Sequence, residues 1–397
     1  MVLKAFKLRL YPNKTQRNQI HVNFGCARFV WNQMLNMHIE RYKNNKKAKF
    51  QGRYSMDVML KALKIEYPWL KQAESTSLQR VNRDLDDAFQ RFFNHSLQNG
   101  FPRFKSKKNT NQSYTSKFVN NNIRIVDEHH IKLPKLGLVY FKAGRILNGK
   151  IRAVTVRVNS RKQYQASILV ESENQTFKKT KKSVGIDLGL KSLAITSDGQ
   201  KEDILKVDDG LNKQLRIWER KKSRRYENAK KAMAFDEHDK VLFPRTDLKQ
   251  FPRYQQAVRT VAKLKKHIAE RRRDNLHKLT TRLVKDYDTI VVENLSVKNM
   301  MKNHHLSASI ANASWGTLIS QLKYKCAWYG KKLIIIDPKN TSRICHECKQ
   351  KNHEFDSLSQ SEWLAAREWD CPNCHAHLDR DVNAAKNILA KGLETLS

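Results

Sequence analysis

The chain has no long apolar run. Its longest aliphatic stretch, Leu333 to Ile336, is far shorter than the ~20 residues that a membrane-spanning helix needs. No amphipathic membrane-binding segment stands out either, so no membrane partner is expected. The opening MVLKAFKLRL lacks an apolar core, so no secretory leader is expected and the protein is expected in the cytoplasm. Internal repeats and low-complexity tracts are also missing. Acidic residues are scarce beside basic ones, with 38 Asp+Glu against 77 Lys+Arg and a net charge of +39. That excess calls for a polyanion, and nucleic acid fits best because each contacted phosphate releases condensed counterions. There are only six cysteines. Cys26 and Cys326 lie in helical patterns and read as buried thiols. The other four form two C-x-x-C pairs, which in a reducing compartment read as one metal site rather than disulfides.

With 397 residues, the chain suggests two or three domains. Val2 to Leu10 alternates apolar with basic residues, predicting a strand that stops at Tyr11-Pro12. From Lys14 to about Leu97 apolar residues recur at helical steps, as in Ile20, Phe24, Ala27, Val30-Trp31 and Met34-Leu35, and again in Leu85 to Phe93. Residues 101–178 read as short strands (Ser113 to Phe118, Ile123 to Val126, Ile131 to Leu133, Leu138 to Phe141, Arg152 to Asn159, Tyr164 to Glu171). Their spacing suggests a barrel or sandwich that the N-terminal strand completes, with the helical segment inserted. Phe177 to Lys182 reads as a basic linker.

Beyond it the pattern is strand (Ser183 to Asp187), strand (Ser192 to Thr196) and turn (197–199). A long basic helical region then runs from Leu211 to Asp286, with a polar interruption around Phe235 to Phe251. Strand Thr289 to Glu293, a helix from Ser309 to Gly330 and strand Lys332 to Asp337 follow. Most charge runs are solvated faces, but so high a density of one sign is costly by self-repulsion, which favours phosphate contact.

Three acids stand at the ends of such elements. Asp187 closes the strand in VGIDLG, Glu293 closes the strand in TIVVENL, and Asp381 opens a helix in LDRDVNAAKNI whose Ala384, Ala385 and Ile388 would pack on a sheet. Oxygen ligands on rigid elements suit hard divalent cations, Mg2+ or Mn2+, of the kind that assist phosphodiester hydrolysis. Singly, each acid has a structural reading: a turn residue, a salt-bridge partner of the basic helix, an N-cap. The order strand-Asp, hairpin, long helix, strand-Glu, helix, strand, helix-Asp fits an RNase H-like fold. Cys345-x-x-Cys348 and Cys371-x-x-Cys374 have the spacing of a tetrahedral zinc ribbon, widened by a local insertion at Glu354 to Arg367. His346 and His375 are candidate replacement ligands, although four cysteines already fill a structural Zn2+ shell.

GIDLG, VVENL and DRDVNAAKNI resemble the three RuvC motifs of TnpB, the RNA-guided endonuclease of bacterial insertion sequences, and of related type V CRISPR effectors. LSASIANASWGTLISQLKYKCAWYG (306–330), TSRICHEC, LYPNKTQ, GCARFVWN and GFPRFK resemble TnpB too, so the likeness covers nearly the whole chain. It implies an α+β multidomain protein. A β-barrel wedge domain (1–10 and 101–180) would carry a helical recognition insertion (11–100), followed by a RuvC-like nuclease domain (181–397) with an inserted zinc ribbon (340–378). It also implies a catalytic Asp187, Glu293 and Asp381 holding Mg2+, with Asp379 as the nearby alternative. The implied partners are a guide RNA from the transposon end and a double-stranded DNA target cut next to a short motif, with a monomer or dimer on the RNA. TnpB-like chains tend to have Gly after each second ribbon cysteine; Lys349 and His375 stand there. Tyr114, Phe118, Tyr140 and Phe141 are candidates to stack on bases. Tyr54, Ser55, Gln79, Asn82 and Asn121 are candidates to reach base edges. Two rival functions share these features: a catalytically silent RNA-guided DNA-binding regulator, and a DNA strand-transfer transposase.

Overall fold

A computed structural model describes all residues but 98, 110, 143, 145–147, 160–161, 175, 204–208, 233–247, 249, 304–306, 340, 357–361, 363–366 and 396–397. Most of the polar interruption at Phe235 to Phe251 and of the insertion at Glu354 to Arg367 lies outside the described residues. The chain divides into two compact units, Met1–Glu173 and Asn174–Ser397.

In the first unit, strand β1 (Val2–Leu10) leads into helices α1 (Lys14–Asn44), α2 (Arg53–Glu66) and α3 (Ser75–Phe93). Asn13 starts α1 with a capping box: its side chain accepts from Gln16 N while Gln16 returns a bond to Asn13 N. Strands β2 (Gln112–Lys117), β3 (Arg124–Ile125), β4 (His130–Leu133), β5 (Gly137–Lys142), β6 (Lys150–Val158) and β7 (Tyr164–Ser172) follow. They join β1 in a seven-stranded sheet of order β2-β6-β7-β1-β5-β4-β3. β1 pairs antiparallel with β7 along its length, from Val2↔Ser172 to Leu10↔Tyr164, and its end pairs with β5. Alternate residues of β7 (Tyr164, Ala166, Ile168, Val170) are buried, as period-two alternation requires of a sheet with one covered face. That face shares a single core with Ile20, Phe24, Val30 and Met34 of α1 and Leu78 and Leu85 of α3.

In the second unit, β8 (Ser183–Asp187), β9 (Ser192–Thr196) and β10 (Lys201–Asp203) are consecutive antiparallel strands. Helices α4 (Asp209–Lys231) and α5 (Pro252–Asp286) lead to β11 (Thr289–Glu293), and α6 (Val297–Met300), α7 (Ser307–Ala313) and α8 (Trp315–Tyr329) lead to β12 (Lys332–Ile336). The sheet order is β10-β9-β8-β11-β12, with β11 parallel to both β8 and β12. The single helix expected from Ser309 to Gly330 is two, because Ser314 adopts a left-handed φ of 56° that ends α7 and restarts the chain as α8. Cys26 and Cys326 are both 2% exposed, as buried thiols should be.

The ribbon hairpin β13 (Glu368–Asp370) and β14 (His377–Asp379) runs directly into the last helix, α9 (Arg380–Glu394). Two glycines let α9 approach the sheet closely. A Cβ on Gly185 of β8 would sit 2.1 Å from Ala385 O, and one on Gly392 would sit 2.3 Å from Val291 Cγ1 of β11. Ala384, Ala385 and Ile388 of α9 are buried in this contact.

Candidate active site

β8 and β11 are adjacent and parallel, with Thr289↔Ser183 through Val292↔Ile186 in register. Continuing the register by one residue sets Glu293 level with Asp187 at the C-terminal ends, about 4.8 Å apart along the ladder. α9, held down by the two glycine contacts, brings Asp381 in from a third element. The three acids share one electrostatic field. Burial, then the charges of Glu293 and Asp381, push the Asp187 carboxyl up to about 7, against the nearby Arg380. Burial likewise raises Glu293, which is 6% exposed, although the Thr341 hydroxyl and Lys391 oppose it.

Each acid has distinct company. Thr341 Oγ1 donates to Glu293 Oε1 at 2.5 Å. Arg380 donates to Asp381 Oδ1 through Nε at 3.0 Å and Nη2 at 2.8 Å, and Arg367 Nη1 reaches Oδ2 at 3.1 Å. Asp379 plays another part. Its Oδ1 accepts from Asp381 N and Val382 N, both at 3.0 Å, and its Oδ2 pairs with Lys201 at 2.6 Å. Against burial, which raises it, the Lys201 ammonium and these N–H groups hold Asp379 below the usual carboxylate range. The N-cap of α9 is therefore Asp379, not Asp381, and its side chain is spent on the helix end.

The cysteines form the other cluster. The sulfurs of Cys345, Cys348, Cys371 and Cys374 all lie within 4.8 Å of one another. Cys345–Cys374 at 3.7 Å and Cys348–Cys371 at 3.6 Å match the ~3.8 Å edge of a tetrahedron with Zn–S bonds of about 2.3 Å. Each knuckle closes through the residue after its second cysteine: Lys349 N donates to Cys345 O at 2.9 Å and His375 N to Cys371 O at 2.8 Å. Both residues take left-handed φ, 62° and 57°, where glycine would sit without strain. His346 is not a ligand. Its ring lies 3.0 Å from Asn383 Oδ1 and 2.8 Å from Lys386 Nζ, so it joins the ribbon to α9. Among the described residues no other such cluster of Cys, His, Asp or Glu occurs; the oxygens of Asp187, Glu293 and Asp381 are not all that close together.

The residues the sequence reading passed over lie around these clusters: Thr341, Asn383, Asn387, Arg380, Arg367 and Lys391. Asn383 and Asn387 are nearly buried on α9 and donate to main-chain carbonyls of the segment entering the ribbon. Their four-residue spacing beside an otherwise apolar helix face was the available signal.

Of the nucleic-acid candidates, Tyr54 is 73% exposed, with the Arg53 guanidinium 4.6 Å from its ring centroid. Ser55, Gln79 and Asn121 are exposed too, Asn121 at a left-handed φ of 56°. Asn82 is fully buried, and its amide nitrogen donates to Asp57 at 2.8 Å, which takes it out of reach of a base. Tyr114 and Phe141 belong to the core, whereas Tyr140 is partly exposed.

Three family models match the chain: Helix-turn-helix domain at residues 1–47, Probable transposase at 167–304, and Cas12f1-like, TNB domain at 315–388. The first falls on one strand and one helix here. A Streptomyces pristinaespiralis protein named as a candidate RNA-guided DNA endonuclease is 33% identical over 99% of this chain and 90% of its own length. The chain belongs to the TnpB family. An Escherichia coli K12 relative with the corresponding name, InsQ, is 31% identical over 100% of this chain and 94% of its own. TnpB-like protein L79 of Acanthamoeba polyphaga mimivirus is 22% identical over 99% and 74%. Among solved structures, the mini-RNA-guided endonuclease CRISPR-Cas_phi3 aligns over 98% of this chain and 92% of that one, with 10% identity and a TM-score of 0.40.

Proposed function

We propose that this TnpB-family chain is an RNA-guided DNA endonuclease of a transposable element, cutting double-stranded DNA beside a short motif by divalent-metal-dependent hydrolysis. The observation that carries the proposal is the gathering of acids from three separate elements: Asp187 and Glu293 end adjacent parallel strands, and the charges of Glu293 and Asp381 both reach the buried Asp187 carboxyl. Acids gathered at such cost are a mark of functional sites. The strand order β10-β9-β8-β11-β12, with acids at the ends of the adjacent interior strands β8 and β11, supports an RNase H-like, RuvC-type nuclease domain. On this reading residues 181–397 form the nuclease domain with the zinc ribbon inserted at 340–378. Residues 1–10 and 101–180 form the wedge, and 11–100 the recognition insertion.

Asp187, Glu293 and Asp381 would hold Mg2+ or Mn2+, and their all-oxygen donor set fits a hard cation. Bound there, the ions would supply activation of the attacking water and charge stabilisation for the leaving 3′-oxygen. The protein's own part is to keep Asp187 and Glu293 level on rigid strands. Arg380 and Arg367 neutralise Asp381 before metal arrives, and the basic surface draws in the phosphodiester backbone. Guide RNA from the transposon end and a double-stranded target are the partners; Tyr54, Ser55, Gln79 and Asn121 are the exposed candidates to contact nucleic acid. The four cysteines would hold Zn2+, which would brace the ribbon. A cytoplasmic protein is consistent with the finding that no helix among the described residues is long and apolar enough to cross a membrane.

The test is cutting of a guide-matched duplex by the protein–RNA complex in Mg2+. Asp187→Ala should lower the rate by about 10³-fold or more while guide-dependent DNA binding persists. An Asp187→Ala complex that cuts like wild type would exclude the site. A wild type that binds the matched duplex without cutting would favour the silent regulator, and joining of 3′ transposon ends would favour the strand-transfer transposase.

A further inference from the structure

One stripe of α9 hydrogen-bonds along the segment between β12 and the ribbon. Lys391 Nζ donates to Asp337 O at 2.8 Å, Asn387 Nδ2 to Thr341 O at 2.9 Å and Ile344 O at 2.6 Å, and Asn383 Nδ2 to Ile344 O at 2.8 Å. Residues 383, 387 and 391 are four apart, so they share a helix face and act as a comb along the strap. Asn383 Oδ1 also accepts from His346 N at 2.9 Å, inside the first knuckle. The comb grips main-chain carbonyls, which makes it indifferent to the strap's own side chains. The side chain that matters is Thr341, 7% exposed, whose hydroxyl reaches Glu293.

A threonine hydroxyl has one proton to give. Two acceptors compete for it: Glu293 Oε1 at 2.5 Å and Pro338 O at 3.2 Å. The shorter contact to a charged oxygen wins, because charge-assisted bonds are the stronger ones. Glu293 needs such a tether. Its long side chain lies in the field of like charges and would otherwise swing away from them, losing the common orientation that a shared cation requires.

We propose that Thr341 is a positioning residue for Glu293, fixing one of its two oxygens so that the carboxylate is preset for a divalent cation, and that the Asn383–Asn387–Lys391 comb and the ribbon hold Thr341 in place. This rests on the reading of Glu293 as a metal ligand. The role differs from that of the ribbon cysteines, whose sulfurs gather with one another. It also means that α9 aligns two of the acids at once: Asp381 from its first turn, and Glu293 through the strap it grips.

The test is Mn2+ binding to the RNA-free full-length chain, read by electron paramagnetic resonance, alongside the Mn2+ dependence of cutting by the guide-loaded complex. Thr341→Val, which keeps the shape and removes the hydroxyl, should weaken Mn2+ binding about 10-fold or more, in the range seen when outer-shell partners of metal ligands are removed. Cutting should shift to correspondingly higher Mn2+, and zinc content should stay at wild-type level. Thr341→Ser should restore the affinity. Wild-type affinity in Thr341→Val would overturn the proposal, as would a Thr341→Ser as weak as Thr341→Val. Loss of zinc by Thr341→Val would overturn it as well, since the residue would then be holding the ribbon. A wild type that binds Mn2+ without cutting would sink the nuclease reading alone, and the binding comparison would still decide Thr341. A wild type that binds no Mn2+ would sink both.

Discussion

The four thiols between Cys345 and Cys374 gather within 4.8 Å of one another, whereas Asp187, Glu293 and Asp381 come from widely separated stretches and each turns to a different neighbour. The contrast follows from charge. Most of these thiols can stay protonated near neutral pH: burial pushes Cys345 up to about 12, while, against burial, hydrogen bonds from main-chain N–H groups and from Cys348 and Cys374 bring Cys371 down to about 7. They can crowd together before a cation arrives, guided by two short local turns. Carboxylates repel one another as they ionise, so the fold keeps their backbones in line and fixes each side chain through its own partners, Thr341 for Glu293 and Arg380 with Arg367 for Asp381. A structural metal site can be specified locally; a site for hard cations at a cleft has to be specified by the scaffold.

Four experiments would break or sharpen this comparison. The largest effect should come from the thiols. Cys371→Ser should release the zinc, and with it binding free energy that in zinc-finger peptides reaches about 10–16 kcal/mol; zinc content and proteolysis of residues 341–378 would report it. Unchanged zinc would show that the four sulfurs do not act as a unit. Next, Gly392→Ala should cost about 1–3 kcal/mol in denaturant unfolding, because its Cβ would overlap Val291 Cγ1 at 2.3 Å. It should also suppress cutting by lifting α9 and Asp381. Full activity in that variant would mean that the close approach of α9 is not what aligns the acids.

The third concerns pH. Asp187 has a folded pKa of about 7 against a reference of 3.8. Between those values the folded state holds a proton that the unfolded chain has lost. Metal-free stability therefore falls as pH rises from about 4 to 7, and the whole cost is present above 7. Asp187→Asn removes that cost. It should stabilise the metal-free protein by about 1–3 kcal/mol at pH 8 and by little at pH 4, as read by melting at both values. Equal effects at both pH values would deny that burial and the neighbouring acids raise the Asp187 carboxyl. The smallest effect belongs to the knuckles. Lys349→Gly should relieve left-handed strain of about 1–2 kcal/mol, offset by a similar but smaller loss from unfolded-chain entropy. The net gain, under about 1 kcal/mol, should show as slower zinc loss to a chelator.

Local signals were legible where the physics is local. The strands from Val2 to Leu10 and Thr289 to Glu293 were readable because an alternating or wholly apolar run bounded by turns has few other uses. The long basic helices were readable from leucines and valines at helical steps. Ser314 was not, because a single serine in a left-handed conformation has no periodicity to betray it. Asn82 misled for a related reason: an amide reads the same whether it faces a base or, as here, is buried against Asp57.

The sequence by itself determined most of the elements and the two C-x-x-C knuckles, because each depends on neighbours a few residues apart, and the basic excess, which is composition alone. Tertiary structure alone decided which aspartate of Asp-Arg-Asp caps the helix and which one Asp187 feels. It also decided that Gly185 and Gly392 serve close packing rather than turns, and that Thr341 answers to Glu293. Apart from the cap, these relations join residues dozens to hundreds of positions apart. Burial and distance set their energies, and neither exists until the sheet, α9 and the strap have come together.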